Sequence, residues 1–205
     1  MPAVPSAGLR AQFGEIDIYL FDQLLRGRFD HRHRVLDAGC GTGRNLPFFL
    51  WRRFDVRAVD ADPSAIRSVR QLAASLYPAL PPNRIHCGSL DALPWENAST
   101  DVVICSAVLH FARDEREFTT MLEEMWRVLA PGGLFFARLA TSIGIERHLS
   151  SVTGRVRLPD GSERFVADEP TLLNWTTRLG GTLADPLKTT NVQNMRCMTT
   201  WVMEK

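Results

Sequence analysis

The apolar positions change their period from segment to segment, and the change predicts the fold. Between Glu15 and Phe29 the residues Ile16, Tyr19, Leu20, Leu24 and Leu25 recur at spacings of three and four, which predicts an amphipathic helix. Five short apolar runs of strand length follow, in HRHRVLDAGCGTGRN, FDVRAVDAD, NRIHCGSLDAL, TDVVICSAV and GGLFFARLA, separated by segments of helical spacing. These runs are continuously Val, Ile, Leu and Phe rather than alternating, as in strands buried on both faces of a parallel sheet. The β-α-β-α order predicts a doubly wound α/β fold with helices on both faces.

Punctuation along the chain agrees. Asp62 followed by Pro63 predicts an N-cap and a helix from about Ser64 to Leu76, ended by Pro78, Pro81 and Pro82. Asp114 opens a helix running to Leu129, stopped by Pro131, Gly132 and Gly133. Past Ala140 the alternation breaks. Arg155 to Ala167 reads as a hairpin around Asp160 and Gly161, and Asp168 with Pro170 opens another helix closed by Gly180 and Gly181. The last 19 residues predict two antiparallel strands joined by a tight Gln193 to Met195 connection.

Composition narrows the class. With 205 residues, 45% hydrophobic and 23% charged, the chain is expected to be one ordered domain over 1–205, with an N-terminal helix in 1–30 and an inserted hairpin region over 141–167 on the same edge of the sheet as the glycine-rich loop. The net charge of +1 lacks the positive field that a phosphate backbone requires, so no nucleic-acid partner is expected. No charge-free run approaches a membrane span, and MPAVPSAGLRAQF has no apolar signal core, so no membrane association and a cytoplasmic location are expected. Cys40, Cys87, Cys105 and Cys197 are widely spaced, and three lie in apolar runs, which predicts reduced thiols and no metal site. The arginines and histidines between Arg26 and Arg34 read as a solvated turn.

The chemistry concentrates after the first strand. Val35 to Asp37 runs into Gly39-Cys40-Gly41-Thr42-Gly43 and then a helix expected near Asn45, bringing backbone N–H groups and a helix N-terminus to the carboxyl edge of the sheet. Asp60, about 20 positions beyond Gly39, ends the second strand where a carboxylate accepts both ribose hydroxyls. A dinucleotide fingerprint would need glycine at position 44, where this chain has Arg44, so a nicotinamide-dependent oxidoreductase is disfavoured.

With VLDAGCGTGRN, Asp60, SLDALPW, DVVICSAVLHF and MWRVLAPGGLFFARL in order, the chain resembles the class I S-adenosylmethionine-dependent methyltransferases over about Val35 to Ala140. Within that family it is similar to the small-molecule enzymes of the quinone-biosynthesis and tellurite-resistance type. The resemblance implies a Rossmann-like seven-stranded sheet of order 3-2-1-4-5-7-6, with strand 7 antiparallel, and methyl transfer from S-adenosylmethionine to a small-molecule acceptor. It implies cofactor contacts from Asp37, Gly39, Cys40, Gly41, Asn45, Asp60, Ala61, Leu90, Asp91 and Ser106, with Asp91 on the adenine amino group and Ala61 and Leu90 flanking the ring. His110 then faces the methyl group, either as a general base or as a residue that only shapes the pocket. The family topology would bring Arg138 and Arg196 together to hold an anionic acceptor, unless each pairs with a carboxylate such as Glu146 or Glu169. A binding protein without catalysis would carry the same cofactor residues. The chain has neither an N/D-P-P-Y tetrad nor a Pro-Cys pair, which disfavours amino-adenine and cytosine C5 acceptors.

Overall fold

Five parallel strands and one antiparallel strand form the frame on which everything else is mounted. The computed structural model describes residues 6–205. In chain order the strands are β1 (Arg34–Ala38), β2 (Asp55–Asp60), β3 (Ile85–Cys87), β4 (Thr100–Ser106), β5 (Leu129–Thr141), β6 (Gly154–Arg157), β7 (Glu163–Val166), β8 (Thr182–Leu183), β9 (Lys188–Val192) and β10 (Arg196–Glu204). The helices are α1 (Ser6–Phe13), α2 (Ile18–Leu25), α3 (Pro47–Trp51), α4 (Pro63–Leu76), α5 (Glu115–Val128) and α6 (Glu169–Arg178). The main sheet runs β3-β2-β1-β4-β5-β10, with β8 and β9 both on the far side of β10, and β6 pairs only with β7. β1 to β5 are mutually parallel and β10 is antiparallel to β5.

This is the expected order with one difference. The strand expected after Leu187 forms as β9, and an unexpected two-residue strand, β8, pairs with the other end of β10 across a break, so the sheet has eight strands rather than seven. Asp185 and Pro186 lie in the break. Proline has no N–H for a ladder, and Asp185 is turned inward, where Gln23, Arg26 and Arg28 donate to its carboxylate at 2.8, 3.3 and 2.9 Å.

Alternation along each strand sorts side chains into two layers. Leu36, Val103, Phe135 and Trp201 pack with α5 and α6, whereas Val35, Val102, Ile104, Phe136 and Val202 pack with α2, α3 and α4. The α4 stripe Ala65, Ile66, Val69 and Ala73 is buried at helical spacing, and Asp62 caps the helix by accepting from Ser64 N–H at 2.8 Å. Asp114 and Asp168 cap α5 and α6 in the same way. The expected helix over 15–29 is shorter, because Asp17 caps it at Ile18. Pro131, Gly132 and Gly133 do follow the end of α5, yet they lie inside β5, beside a register shift opposite Thr100 to Val102. Cys40, Cys105 and Cys197 are buried and Cys87 is exposed, all four unbridged.

Candidate active site

The carboxyl ends of β1, β2, β4 and β5 enclose a cavity of about 710 Å³, walled by Gly39 to Thr42, Arg44, Asn45, Asp60, Ala61, Gly88 to Leu90, Ser106 to Val108, Phe111, Ala112, Glu117, Met121 and Arg138. That volume lies in the range of small-molecule and cofactor sites.

The glycine loop is built for close approach. Gly39 has φ +74, and a Cβ there would stand 2.5 Å from Val108. Gly41 has φ +51, and its missing Cβ faces open space, so the backbone is bare toward the cavity. The N–H groups expected to face a ligand do not. Gly39 and Cys40 both donate to Val59 O, at 2.9 and 3.0 Å, and Gly41 donates to Asp60 Oδ2 at 2.8 Å. The helix start is also displaced, from Asn45 to Pro47, with no side-chain cap. A phosphate cradle needs free N–H groups, so this loop suits a ligand without a phosphate.

Asp60 is fixed by the N–H groups of Gly41 and Asp62, at 2.8 and 2.9 Å. Each carboxylate oxygen keeps acceptor capacity for a hydroxyl. Asp37 is 1% exposed, and its Oδ2 has no partner among the described residues. Burial pushes its pKa up to about 7, with Arg44 opposing and Asp60 adding to the rise. An orphaned carboxylate beside a bare glycine loop fits a ligand that brings a cation and a ribose, as S-adenosylmethionine does with its ammonium and its nucleoside. Cys40 lines the same wall, but burial and the charges of Asp37 and Asp60 push its thiol pKa up, leaving it unreactive.

The expected site residues divide. Gly39, Cys40, Gly41, Asn45, Asp60, Ala61, Leu90, Ser106 and Arg138 line the cavity, and Asp37 is buried behind it. Asp91 is exposed on the adjacent groove formed with Arg113, Asp114 and Thr120. His110 is 5% exposed and is absent from the cavity wall; its Nδ1 accepts the Ala140 N–H at 3.2 Å. Burial, with help from Arg164 and Arg138, pushes its pKa down to about 4. With Nδ1 engaged as an acceptor, the neutral ring carries its proton on Nε2 and offers no free basic nitrogen. The structure thus corrects the base reading of His110, which is placed to hold the end of β5.

Arg138 and Arg196 are not brought together. Arg138 pairs with Thr200 in the ladder, and Arg196 lies beyond Cys197, four positions further along β10. Arg138 reaches Asp17 at 3.4 Å and lies over the Tyr19 ring at 5.1 Å, whereas Arg196 approaches Asp160 of the hairpin turn at 3.8 Å. Neither uses Glu146 or Glu169. The joint acceptor site is corrected to a wall containing Arg138 alone of the two.

Sequence reading missed Asp17, Arg44 and Phe111. Asp17 Oδ2 accepts Ser106 Oγ at 3.0 Å and faces Arg44 and Arg138 at 3.5 and 3.4 Å. Its role depends on contacts across 27 to 121 positions, which no local pattern announces. Arg44 had a signal, namely an arginine where a dinucleotide loop has glycine. Phe111 stays 57% exposed on the cavity wall, with Arg164 from the hairpin over its ring at 4.9 Å.

A doubly wound sheet with a bare glycine loop at its first strand and a carboxylate ending its second defines a nucleoside-binding α/β protein. Residues 35–133 match the family described as methyltransferase domain, and over this stretch the chain is similar to the class I S-adenosylmethionine-dependent methyltransferases. It is 38% identical over 110 residues to a malonyl-[acyl-carrier protein] O-methyltransferase of Halorhodospira halophila, covering 52% of this chain and 35% of that protein. It is 28% identical over 127 residues to the tRNA 5-carboxymethoxyuridine methyltransferase of Escherichia coli, covering 62% of this chain and 48% of the relative. The chain thus spans less than half the length of these two relatives. The fold matches that of the Burkholderia thailandensis 1,6-didemethyltoxoflavin-N1-methyltransferase crystallised with S-adenosylhomocysteine, with TM-score 0.69, 20% identity and coverage of 98% and 83%. Among the described residues, no helix is long and apolar enough to cross a membrane.

Proposed function

We propose that the chain transfers a methyl group from S-adenosylmethionine to an acceptor bearing a carboxylate, which Arg138 binds. The observation that carries this reading is the cavity wall itself: it contains a guanidinium whose buried Nε has no partner among the described residues, and the Nδ1 of His110 is already engaged by a backbone N–H. A carboxylate oxygen has no proton to lose at neutral pH, so attack on an electrophilic methyl needs no base. Both named methyltransferase relatives take acceptors whose names include a carboxyl group, which supports the same class.

When bound, the cofactor supplies a methyl group made electrophilic by its sulfonium. The chain's own residues then have separate tasks. Asp60 would accept the ribose hydroxyls, Ala61 and Leu90 would flank the adenine, and Asp37, behind the glycine loop, would supply the carboxylate that balances the ammonium. Arg138 sets the acceptor oxygen in line, and proximity of this kind is the main source of rate in such a reaction. Val108, Phe111 and Met121 form an apolar wall that keeps water from the reacting atoms.

The test is to incubate the protein with methyl-labelled cofactor and a panel of acceptors, comparing malonyl and other acyl carboxylates with matched alcohols and amines. Label transferred to the carboxylates and released as methanol by mild alkali, as an ester requires, is the expected result. Label stable to alkali, or equal turnover of alcohols and amines, rejects the acceptor class; cofactor binding with no transfer at all rejects catalysis.

A further inference from the structure

We infer that Asp17, the N-cap of α2, is a positioning residue that aims Arg138 and Arg44 at the acceptor's carboxylate; this rests on the acceptor reading above. The two oxygens of Asp17 divide the work. Oδ1 accepts the Tyr19 N–H at 3.0 Å and caps the helix, a task that Asn performs equally well. Oδ2 is turned the other way, onto Ser106 Oγ at 3.0 Å, Arg138 Nη1 at 3.4 Å and Arg44 Nη2 at 3.5 Å. The Asp17 N–H adds a bond to Asn45 Oδ1 at 3.0 Å.

Arg44, Asn45, Ser106 and Arg138 come from three different places in the chain, and all four line the cavity, yet Asp17 itself is 3% exposed and does not. It is a hub behind the wall. One carboxylate is shared by two guanidiniums at distances beyond a tight ion pair, so Asp17 holds both without neutralising both. Arg138 also keeps a buried Nε that no acceptor among the described residues meets. A cluster that is held in place but not neutralised is what recognition of a second anion needs. Tyr19, two residues on, continues the arrangement: its ring lies under the Arg138 guanidinium, and its hydroxyl bonds Thr190 Oγ1 on β9, so the arginine is held from below and from the side.

The experiment is a double-mutant cycle with Asp17→Asn and Arg138→Gln, read as acceptor KM, with a carboxylate that the wild type esterifies, and as S-adenosylhomocysteine Kd. Asp17→Asn keeps the cap but turns an amide toward two guanidiniums. The expected result is an acceptor KM raised at least fivefold with the S-adenosylhomocysteine Kd changed by less than threefold, and a double mutant whose acceptor KM is no higher than that of Arg138→Gln alone. An Asp17→Asn protein that melts earlier but keeps the wild-type acceptor KM shows a structural cap and overturns the inference, as does a double mutant whose losses multiply. If Asp17→Asn does not fold, Asp17→Ser, which also caps but carries no charge, takes its place in the cycle. A wild type that forms no alkali-labile ester overturns the acceptor reading, and this inference with it.

Discussion

Two buried carboxylates flank the cavity, and the protein treats them in opposite ways. Asp37, at the end of β1 behind the glycine loop, is 1% exposed with an oxygen that meets no donor among the described residues. Asp17, at the start of α2, is 3% exposed and saturated by a backbone N–H, a hydroxyl and two guanidiniums. Equal burial therefore does not mean equal chemistry. The first keeps an acceptor oxygen that no donor among the described residues meets, and the second is a finished support for its neighbours. The glycine-loop side of the cavity is organised around what it lacks, and the α2 side around what it already holds.

The largest consequence of this contrast is in the pH dependence of stability. Because the folded pKa of Asp37 is raised to about 7, the native state holds a proton that the unfolded chain has lost, and stability falls as pH rises from about 4 through 7. His110 has the opposite sign: its pKa is lowered to about 4, so stability is lost as pH falls from about 6.5 toward 4. Each shift corresponds to a change on the order of 4 kcal/mol at most, and over that window they nearly cancel. In denaturant titrations without ligand, Asp37→Asn should expose a limb that rises with pH, and His110→Phe a limb that falls. Equal slopes in the two variants would break the contrast.

Next in size is the carboxylate between the two extremes. Asp60→Ala removes the acceptor proposed for two ribose hydroxyls and should raise the S-adenosylhomocysteine Kd by about 100-fold, measured by calorimetry. An affinity within threefold of wild type would remove Asp60 from the cofactor site. At pH 8 the two buried acids should then respond in opposite directions to the same substitution. Asp37→Asn raises the Tm of the free protein, while Asp17→Asn lowers it by about 3 to 6 °C, from a loss of roughly 1.5 kcal/mol. The smallest effect sharpens the picture at the acceptor end: Arg138→Gln should raise acceptor KM about tenfold, whereas Arg196→Ala, removing a solvent-facing ion pair, should leave it within twofold.

What the sequence disclosed follows the range of the interactions involved. The strand, glycine loop and carboxylate from Val35 to Asp60 are one contiguous βαβ unit, and each residue's conformation is set by neighbours a few positions away. The caps at Asp62, Asp114 and Asp168 were legible for the same reason. Arg138 was recognisable as a charge in an apolar strand, but its partner lies 121 positions earlier, and only the three-dimensional fold chooses Asp17 over Glu146 or Glu169. His110 shows the converse failure. Its position after β4 was read correctly, but its environment was not, since burial against the Ala140 N–H depends on the packing of β5. The break between β8 and β9 escaped notice because Asp185 and Pro186 read equally well as an ordinary loop.

That break bears on how the protein behaves in a crowded solution. An open sheet exposes a row of unpaired N–H and C=O groups on each outer strand, and a long, straight outer strand invites another chain to continue the ladder. Here one margin ends in the three residues of β3. The other is cut into pieces of two and five residues, with a proline and an inward-held carboxylate between them. Neither side offers enough uninterrupted backbone to template a stranger, so the arginines that pin Asp185 also guard the sheet against growing beyond its own chain.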